Sequence, residues 1–458
     1  MSEFSVSGSN VVVMGAARSG VAAAKLLVRR GARVTLSDLR ASVENADELR
    51  ANDIELELGG HRMETLQAAD LIVLSPGVSP HQAVVETARR RGMPMISEIE
   101  LAARWLRGRI VAVTGTKGKS TTTVLTGRMF AEGGRNAVIG GNIGTALSSQ
   151  VEESRPDVIH VVEVSSFQLE FIDTFRPWIA VFLNLSPDHL DRHESFQAYV
   201  EAKARIFSNQ TEDDAMVINA DDPRVLEIAR RSRARRCRFS IRPTPNDEIT
   251  VTDNAITRRA VDGVQRLVPL SAVQVPGQHL LSDIVAATAV GSLAGVDAES
   301  MTRAVGTFTG LEHTLEFVRE VNGVRYVNDS KATNMVAARE AIECFGMGLV
   351  VILGGRFKGG AFEELCPGLI DRKAVVVAIG EARGQIRKSL SPTIDVRDAK
   401  TLTQAVEIAA TLVRKGGTVL LAPACASLDM FRNYVERGDE FKRAVKMIAD
   451  RSSLDRGE

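Results

Sequence analysis

The chain has 458 residues, too long for one ordinary core and matching about three domains at roughly 150 residues each. Hydrophobic residues make up 44% and charged residues 25%, and Lys+Arg 57 balance Asp+Glu 57. That composition excludes a disordered chain, and the zero net charge argues against non-specific nucleic-acid binding, which needs a basic excess.

Cys237, Cys344, Cys366 and Cys425 are far apart and form no C-x-x-C pair, so they read as reduced thiols. The opening "MSEFSVSGSN" lacks a basic stretch followed by an apolar one, and no apolar run is long enough to span a membrane. The expected location is the cytoplasm.

From the N-terminus, "NVVVMG", "ARVTLSD", "LIVLSPG" and "MPMIS" read as strands with helical stretches between them, a doubly wound parallel sheet. A second unit begins near Ile110 with strands "IVAVTG", "VIHVVEVSS" and "IAVFLNLS"; a third begins near "GLEHTLEFV" and carries "GLVVILGG", "AVVVAIG" and "GTVLLAPA". These short continuous apolar runs suit strands buried on both faces. The expected class is α/β with three domains, at 1–108, 109–308 and 309–458. The first and last are Rossmann-like, and the central one is P-loop ATPase-like with a parallel sheet. The densest charge run, "RRSRARRCRF" at 230–239, has no interleaved aromatic platform for RNA and reads as a solvated face.

The first glycine turn, Gly15-Ala16-Ala17-Arg18-Ser19-Gly20, follows a strand and opens a helix. That is the context of a dinucleotide fingerprint, but Ala17 stands where the second glycine would let a pyrophosphate approach. Asp38, ending the next strand, occupies the place of an acid that reads ribose or base. An oxidoreductase cofactor, another nucleotide and a purely structural turn all remain open on this feature alone.

The stretch "VAVTGTKGKSTTTVL" is a strand, a short glycine loop and a helix start. A full Walker A loop would place its first glycine where Val113 stands. Even so, the amides of Gly115, Thr116, Lys117, Gly118, Lys119, Ser120 and Thr121 would converge on phosphate at the helix N-terminus. Lys119 would neutralise phosphate charge, and the Ser120 hydroxyl is placed for magnesium. Glu163 ends the next strand, facing the ligand crevice. His189 follows another strand in "NLSPDHLDRH" and is either a structural histidine or a metal ligand. In "ESFQAYVEAKARIF" the residues Phe196, Tyr199, Val200, Lys203 and Phe207 follow helical spacing, which puts Lys203 on the apolar stripe. Either it snorkels to water, or its charge has been removed by a lowered pKa or by carbamylation.

Together the motifs "GTKGKST", "GGNIG", "EVSSFQLE", "NLSPDHLDRH", "YVEAKARIF", "NDSKATN", "LGGRFKGG" and "PACASLDMFRNY" resemble, in order and across nearly the whole chain, the ATP-dependent Mur ligases of peptidoglycan synthesis. "LGGRFKGG" and "PACASLD" resemble the D-glutamate-adding branch. The resemblance implies domains that bind a UDP-sugar, ATP and an amino acid in turn. It also implies phosphorylation of the terminal carboxylate of UDP-N-acetylmuramoyl-L-alanine, followed by attack of the D-glutamate amine through a tetrahedral intermediate. ADP and phosphate leave.

By motif position the resemblance assigns Lys119 and Ser120 to ATP and one Mg2+, and Glu163 and His189 to a second Mg2+. Lys203 is matched to a lysine carried as a carbamate at that second site. Asp329 would take the ribose and Lys331 the γ-phosphate, although an Asx cap also explains the Asp-Ser-Lys turn. D-glutamate would meet Thr333, Lys358, Ser427, Leu428 and Tyr434. The UDP-sugar would meet Arg18, Ser19, Asp38, Asn142 and Ser165. The implied partners are small molecules, with no nucleic acid or membrane insertion and a monomeric chain.

Two departures stand out. Where the family reads G-x-H-N-x-x-N this chain has "GQHLLSD", with Leu280 and Asp283 in place of the asparagines near adenine. Asp283 can accept from adenine's amino group but cannot donate to its ring nitrogen, so the expectation is one lost hydrogen bond. Thr314, beside His313, replaces an arginine that would contact phosphate or ribose.

Overall fold

A computed structural model describes residues 4–187, 192–260 and 263–454. The chain forms two compact units: Met1–Ala272 with Ser282–Gly306, and Val273–Leu281 with Thr307–Glu458. The first unit holds two sheets and the second holds one.

The first sheet contains β1 (Asn10–Met14), β2 (Arg33–Asp38), β3 (Ile54–Leu58), β4 (Leu71–Leu74) and β5 (Met95–Ser97), all parallel, in the order 3-2-1-4-5. Strand β3, "IELEL", lies in a stretch that periodicity assigned to helix; its burial alternates only partly, as expected for an edge strand with one covered face. Alternate residues of β1 feed two cores. Val11 and Val13 join Leu36 and Val73 on one face, while Val12 and Met14 join Ile72 and Leu74 on the other.

The second sheet contains β6 (Arg109–Thr114), β7 (Ala137–Gly141), β8 (Ile159–Glu163), β9 (Ile179–Phe182), β10 (Ala215–Asn219), β11 (Arg235–Ser240), β12 (Ile249–Thr252), β13 (Ala255–Ala260) and β14 (Gly263–Pro269). Its order is 14-13-12-11-10-9-6-8-7. From β7 to β12 it is parallel, and the expected all-parallel sheet is extended by an antiparallel edge, β12–β13–β14. Leu26, Ile99 and Ala102 share one core with Ala112, Val162 and Phe182, so the first sheet's helices also cover the second sheet.

The sheet of the second unit contains β15 (Glu316–Val321), β16 (Val324–Asn328), β17 (Leu349–Gly354), β18 (Val375–Ile379), β19 (Asp395–Asp398) and β20 (Thr418–Leu421), in the order 15-16-20-17-18-19. Only β15 is antiparallel. In open parallel sheets ligand crevices lie at the carboxyl ends of strands where the strand order reverses. Here those places are the ends of β1 and β4, of β6, β8 and β9, and of β16, β17 and β20.

Candidate functional site

Beyond β6 the chain turns at Gly115 and Gly118, both with positive φ, and enters the helix Lys119–Glu132. Val113 is a fully buried strand residue paired with Val181 and Glu163, so the first glycine of the loop, Gly115, comes two residues later than in a Walker A loop. The Asn184 Oδ1 accepts from the Thr116 and Lys117 amides at 3.1 and 2.9 Å, and its Nδ2 donates to the Lys117 carbonyl at 3.1 Å. Tyr199 Oη donates to Thr116 Oγ1 at 3.0 Å. Lys119 Nζ folds back to donate to the carbonyls of Gly115 at 3.0 Å and Thr116 at 2.8 Å.

Ser120 Oγ donates to Glu163 Oε2 at 2.6 Å, and Asn142 Nδ2 donates to Glu163 Oε1 at 2.7 Å. Glu163 is 2% exposed at the end of β8. This hydroxyl, carboxylate and amide set is all oxygen and nitrogen of the hard kind. The Ser120 and Glu163 oxygens are close enough to share one small divalent cation, which fits Mg2+. His189 lies outside the described residues.

Lys203 is 2% exposed, in the helix Phe196–Ala204. Its Nζ donates to the Gly115 carbonyl at 2.8 Å and lies 4.6 Å from the Tyr199 ring centroid. The side chain therefore does not snorkel to water; it reaches the underside of the glycine loop. An ammonium there meets the Gly115 carbonyl and the Tyr199 π face among its contacts, while a carbamate would present oxygens instead.

Asp283, in the helix Gln278–Leu293, is 5% exposed. Its carboxylate packs on Gly118 so closely that a Cβ at that glycine would meet Oδ1 at 2.0 Å. Burial pushes its pKa up to about 8, against a smaller opposing pull from Lys119. Burial therefore favours the protonated acid at neutral pH, which has one donor and acceptor capacity left, against the expectation of a group that only accepts. Leu280 is buried and offers no polar atom.

A cavity of about 460 Å³ opens at the ends of β1, β2 and β4 and is lined by Arg18, Ser19, Asp38, Arg40, Ser75 and Asn142 among others. Gly20 closes the helix onto the strand, since a Cβ there would stand 1.7 Å from the Gly15 carbonyl oxygen. Asp38 accepts from the Ala16 amide at 2.6 Å and from the Arg40 Nε at 2.9 Å, and the Arg40 guanidinium holds its carboxyl well below the usual carboxylate range. Arg18 donates to the Asn142 carbonyl at 3.4 Å. Asn142 thus touches both the cavity and Glu163. Ser165 is not in the cavity lining; it caps the short helix Ser166–Leu169 in a capping box with Gln168.

In the second unit, Asp329 and Lys331 follow β16. Asp329 is 6% exposed, accepts from the Leu315 amide at 3.2 Å and has its pKa pushed up to about 7 by burial. Lys331 is exposed and Thr333 half-buried. Ser427 is buried beyond β20, with Leu428 and Tyr434 exposed nearby in sequence. The loop beyond β17 is tied to this turn by paired Arg356 and Ala426 backbone bonds of 2.8 and 3.0 Å, and it carries the exposed Lys358. Thr314 Oγ1 is buried without a hydrogen-bond partner among the described residues.

The match of sequence to known families agrees with this layout. Residues 9–97 match the MurD-like N-terminal domain of Mur ligases, 113–291 the Mur ligase middle domain and 315–425 the Mur ligase glutamate ligase domain. The UDP-N-acetylmuramoylalanine--D-glutamate ligase of Acidobacterium capsulatum is 44% identical over 443 residues, 96% of each chain. The chain belongs to the Mur ligase family. The enzyme of that same name from Geobacter metallireducens is 43% identical over 97% of this chain and 98% of its own. At the level of fold, the MurF ligase of Thermotoga maritima in complex with ADP aligns with a TM-score of 0.59 at 18% identity, covering 97% of this chain and 96% of that one.

Within this Mur ligase, sequence reading missed Asn184, Tyr199 and Arg40. Asn184 stands two residues beyond the buried strand β9, the position of a crevice residue, and that was the available signal. Tyr199 looked like one more apolar-stripe residue, because periodicity does not reveal a hydroxyl's partner.

Proposed function

We propose that this Mur ligase joins D-glutamate to the terminal carboxylate of UDP-N-acetylmuramoyl-L-alanine, with ATP as the phosphoryl donor and release of ADP and phosphate. The observation that carries the reading is the continuous chain Ser120–Glu163–Asn142, which links the phosphate loop to the cavity of Arg18, Ser19 and Asp38. A reaction that moves phosphoryl from nucleotide to a UDP-sugar carboxylate needs those two ligands side by side. In this reading residues 1–108 hold the UDP-sugar, 109–308 the nucleotide and 309–458 the amino acid.

A carboxylate resists an amine until its oxygen becomes a leaving group, and phosphorylation makes it one. Lys119 and the loop amides from Gly115 to Thr121 bind the triphosphate, and Lys119 must leave its own loop carbonyls to do so. Protonated Asp283 sits against Gly118 without adding negative charge to the phosphate seat. Asp329 and Lys331 serve ribose and γ-phosphate, and Thr333, Lys358, Ser427, Leu428 and Tyr434 orient D-glutamate. Arg18, Ser19, Asp38, Asn142 and Ser165 hold the UDP-sugar. Ser120 and Glu163 would hold one Mg2+, and Glu163, His189 and a carbamate on Lys203 a second. As a plain ammonium Lys203 cannot ligate a cation. Bound Mg2+ would supply charge neutralisation to the transferring phosphoryl group. We read the chain as acting as a monomer on small molecules in the cytoplasm.

The test is phosphate release from ATP and UDP-N-acetylmuramoyl-L-alanine across a panel of amino acids. D-glutamate is expected to drive release. Release driven by another amino acid and not by D-glutamate refutes the substrate assignment.

A further inference from the structure

Arg437 lies in the long helix Tyr434–Leu454 and is among the largest fully buried side chains, at 1% exposure. Its Nε donates to Ser330 Oγ at 3.0 Å, one terminal nitrogen to the Ser330 carbonyl at 2.8 Å and the other to the Cys425 carbonyl at 3.1 Å. Ser330 Oγ in turn donates to the Tyr434 carbonyl at 2.7 Å. All three acceptors are neutral oxygens, and Asp429 acts on the guanidinium only through space. A buried cation without a bonded carboxylate is costly, so a chain that needed only packing here would do better with an apolar side chain.

The acceptors belong to two different turns at the carboxyl edge of the sheet. Ser330 sits between Asp329 and Lys331, beyond β16, and Cys425 precedes Ser427, beyond β20. The third loop is also against the cation: a Cβ on Gly355, just past β17, would stand 3.2 Å from an Arg437 nitrogen and 2.2 Å from the Ala426 carbonyl oxygen. Three donors in one rigid plane reach a hydroxyl and two carbonyls on two separate turns, which neither an amide nor a flexible ammonium reproduces.

We propose that Arg437 is a positioning residue for the ligase reaction, a single guanidinium that locks the Asp329–Lys331 turn to the Cys425–Ser427 turn and thereby sets the seat of D-glutamate against the nucleotide-side residues. Its charge lies beneath turns that would receive a dicarboxylate, so ligand binding supplies the anion the buried cation lacks. The proposal rests on the reading of the second unit as the D-glutamate seat.

The experiment uses the full-length chain with Arg437→Lys and Arg437→Met, measuring melting profiles and steady-state kinetics with each substrate varied. For Arg437→Lys we expect a cooperative melt, a KM for D-glutamate raised about tenfold, a kcat lowered about tenfold and a KM for UDP-N-acetylmuramoyl-L-alanine within about twofold of the parent. Arg437→Met should show the same pattern, more severely. A folded Arg437→Lys with the parent's D-glutamate KM overturns the proposal, whatever its kcat, and so does an Arg437→Lys that does not fold, because the residue is then structural. If the parent chain accepts another amine instead, the substrate reading fails separately and the KM for that amine becomes the readout for Arg437.

Discussion

Asp283→Asn tests the buried acid beside the phosphate loop. In the folded chain the carboxyl titrates at about 8, whereas in the unfolded chain it returns to near 3.8. The folded state therefore holds a proton that the unfolded state releases between those values. Its stabilising contribution is complete below the unfolded pKa and is lost as pH rises toward the folded one. One pKa unit corresponds to about 1.4 kcal/mol, so keeping Asp283 protonated at pH 7 costs roughly 4 kcal/mol, an upper figure for a buried group. Asparagine keeps a donor and an acceptor at nearly the same volume and has no proton to hold. The nucleotide-free variant should thus match the parent near pH 4 and gain on it steadily up to pH 8. Paired urea unfolding curves at unit pH steps measure the gap. A gap that stays constant with pH, or a variant less stable than the parent at pH 7, refutes the assignment of a neutral acid. Nucleotide affinity should survive the change, since the protonated acid and the amide each offer at least one donor and one acceptor.

Lys203→Ala should nearly abolish turnover, and a short-chain carboxylate in the buffer should restore part of it; near-normal turnover would remove Lys203 from the metal site. Ser120→Ala deletes the hydroxyl bonded to Glu163, and the Mg2+ concentration for half-maximal rate should rise about tenfold. Gly20→Ala forces a methyl to within 1.7 Å of the Gly15 carbonyl oxygen, which backbone cannot yield cheaply. It should cost more than ~2 kcal/mol in denaturant unfolding and abolish UDP-sugar binding in a calorimetric titration.

The strands that build the crevices were legible because each is a short, continuous apolar run, and Gly115, Gly118, Glu163 and Asp38 follow directly from standing at strand ends. The antiparallel extension through β13 and β14 was not, since "AITRRA" and "GVQRLVP" are half polar and join the sheet only through the antiparallel pairing of β13 with β12 and of β14 with β13. Asp283 was legible as a departure but not as a protonated acid, because its pKa depends on burial against a loop 165 positions away in the numbering. Arg437 reads in sequence as one more charge in "NYVERGDEFKR", and only the fold turns it inward.

The short glycine loop shows how three-dimensional support replaces a missing residue. A longer Walker A loop wraps phosphate with more free backbone, and shortening it leaves fewer amides and a stiffer path. Here the loop is braced from below: Asn184 fixes the peptides on either side of Lys117, Tyr199 fixes Thr116, and Lys203 fixes Gly115. Two of those braces come from one helix, at positions 199 and 203, one turn apart on the same face. The apolar-stripe lysine is therefore coupled to the loop geometry whatever its chemical state. Tyr199→Phe isolates this coupling. It removes one hydrogen bond to Thr116, leaves the ring against Lys203 and should weaken ATP binding by about 1 kcal/mol, five- to tenfold in Kd. An unchanged ATP affinity in that variant would mean that the Tyr199 brace does not contribute to the loop's hold on ATP.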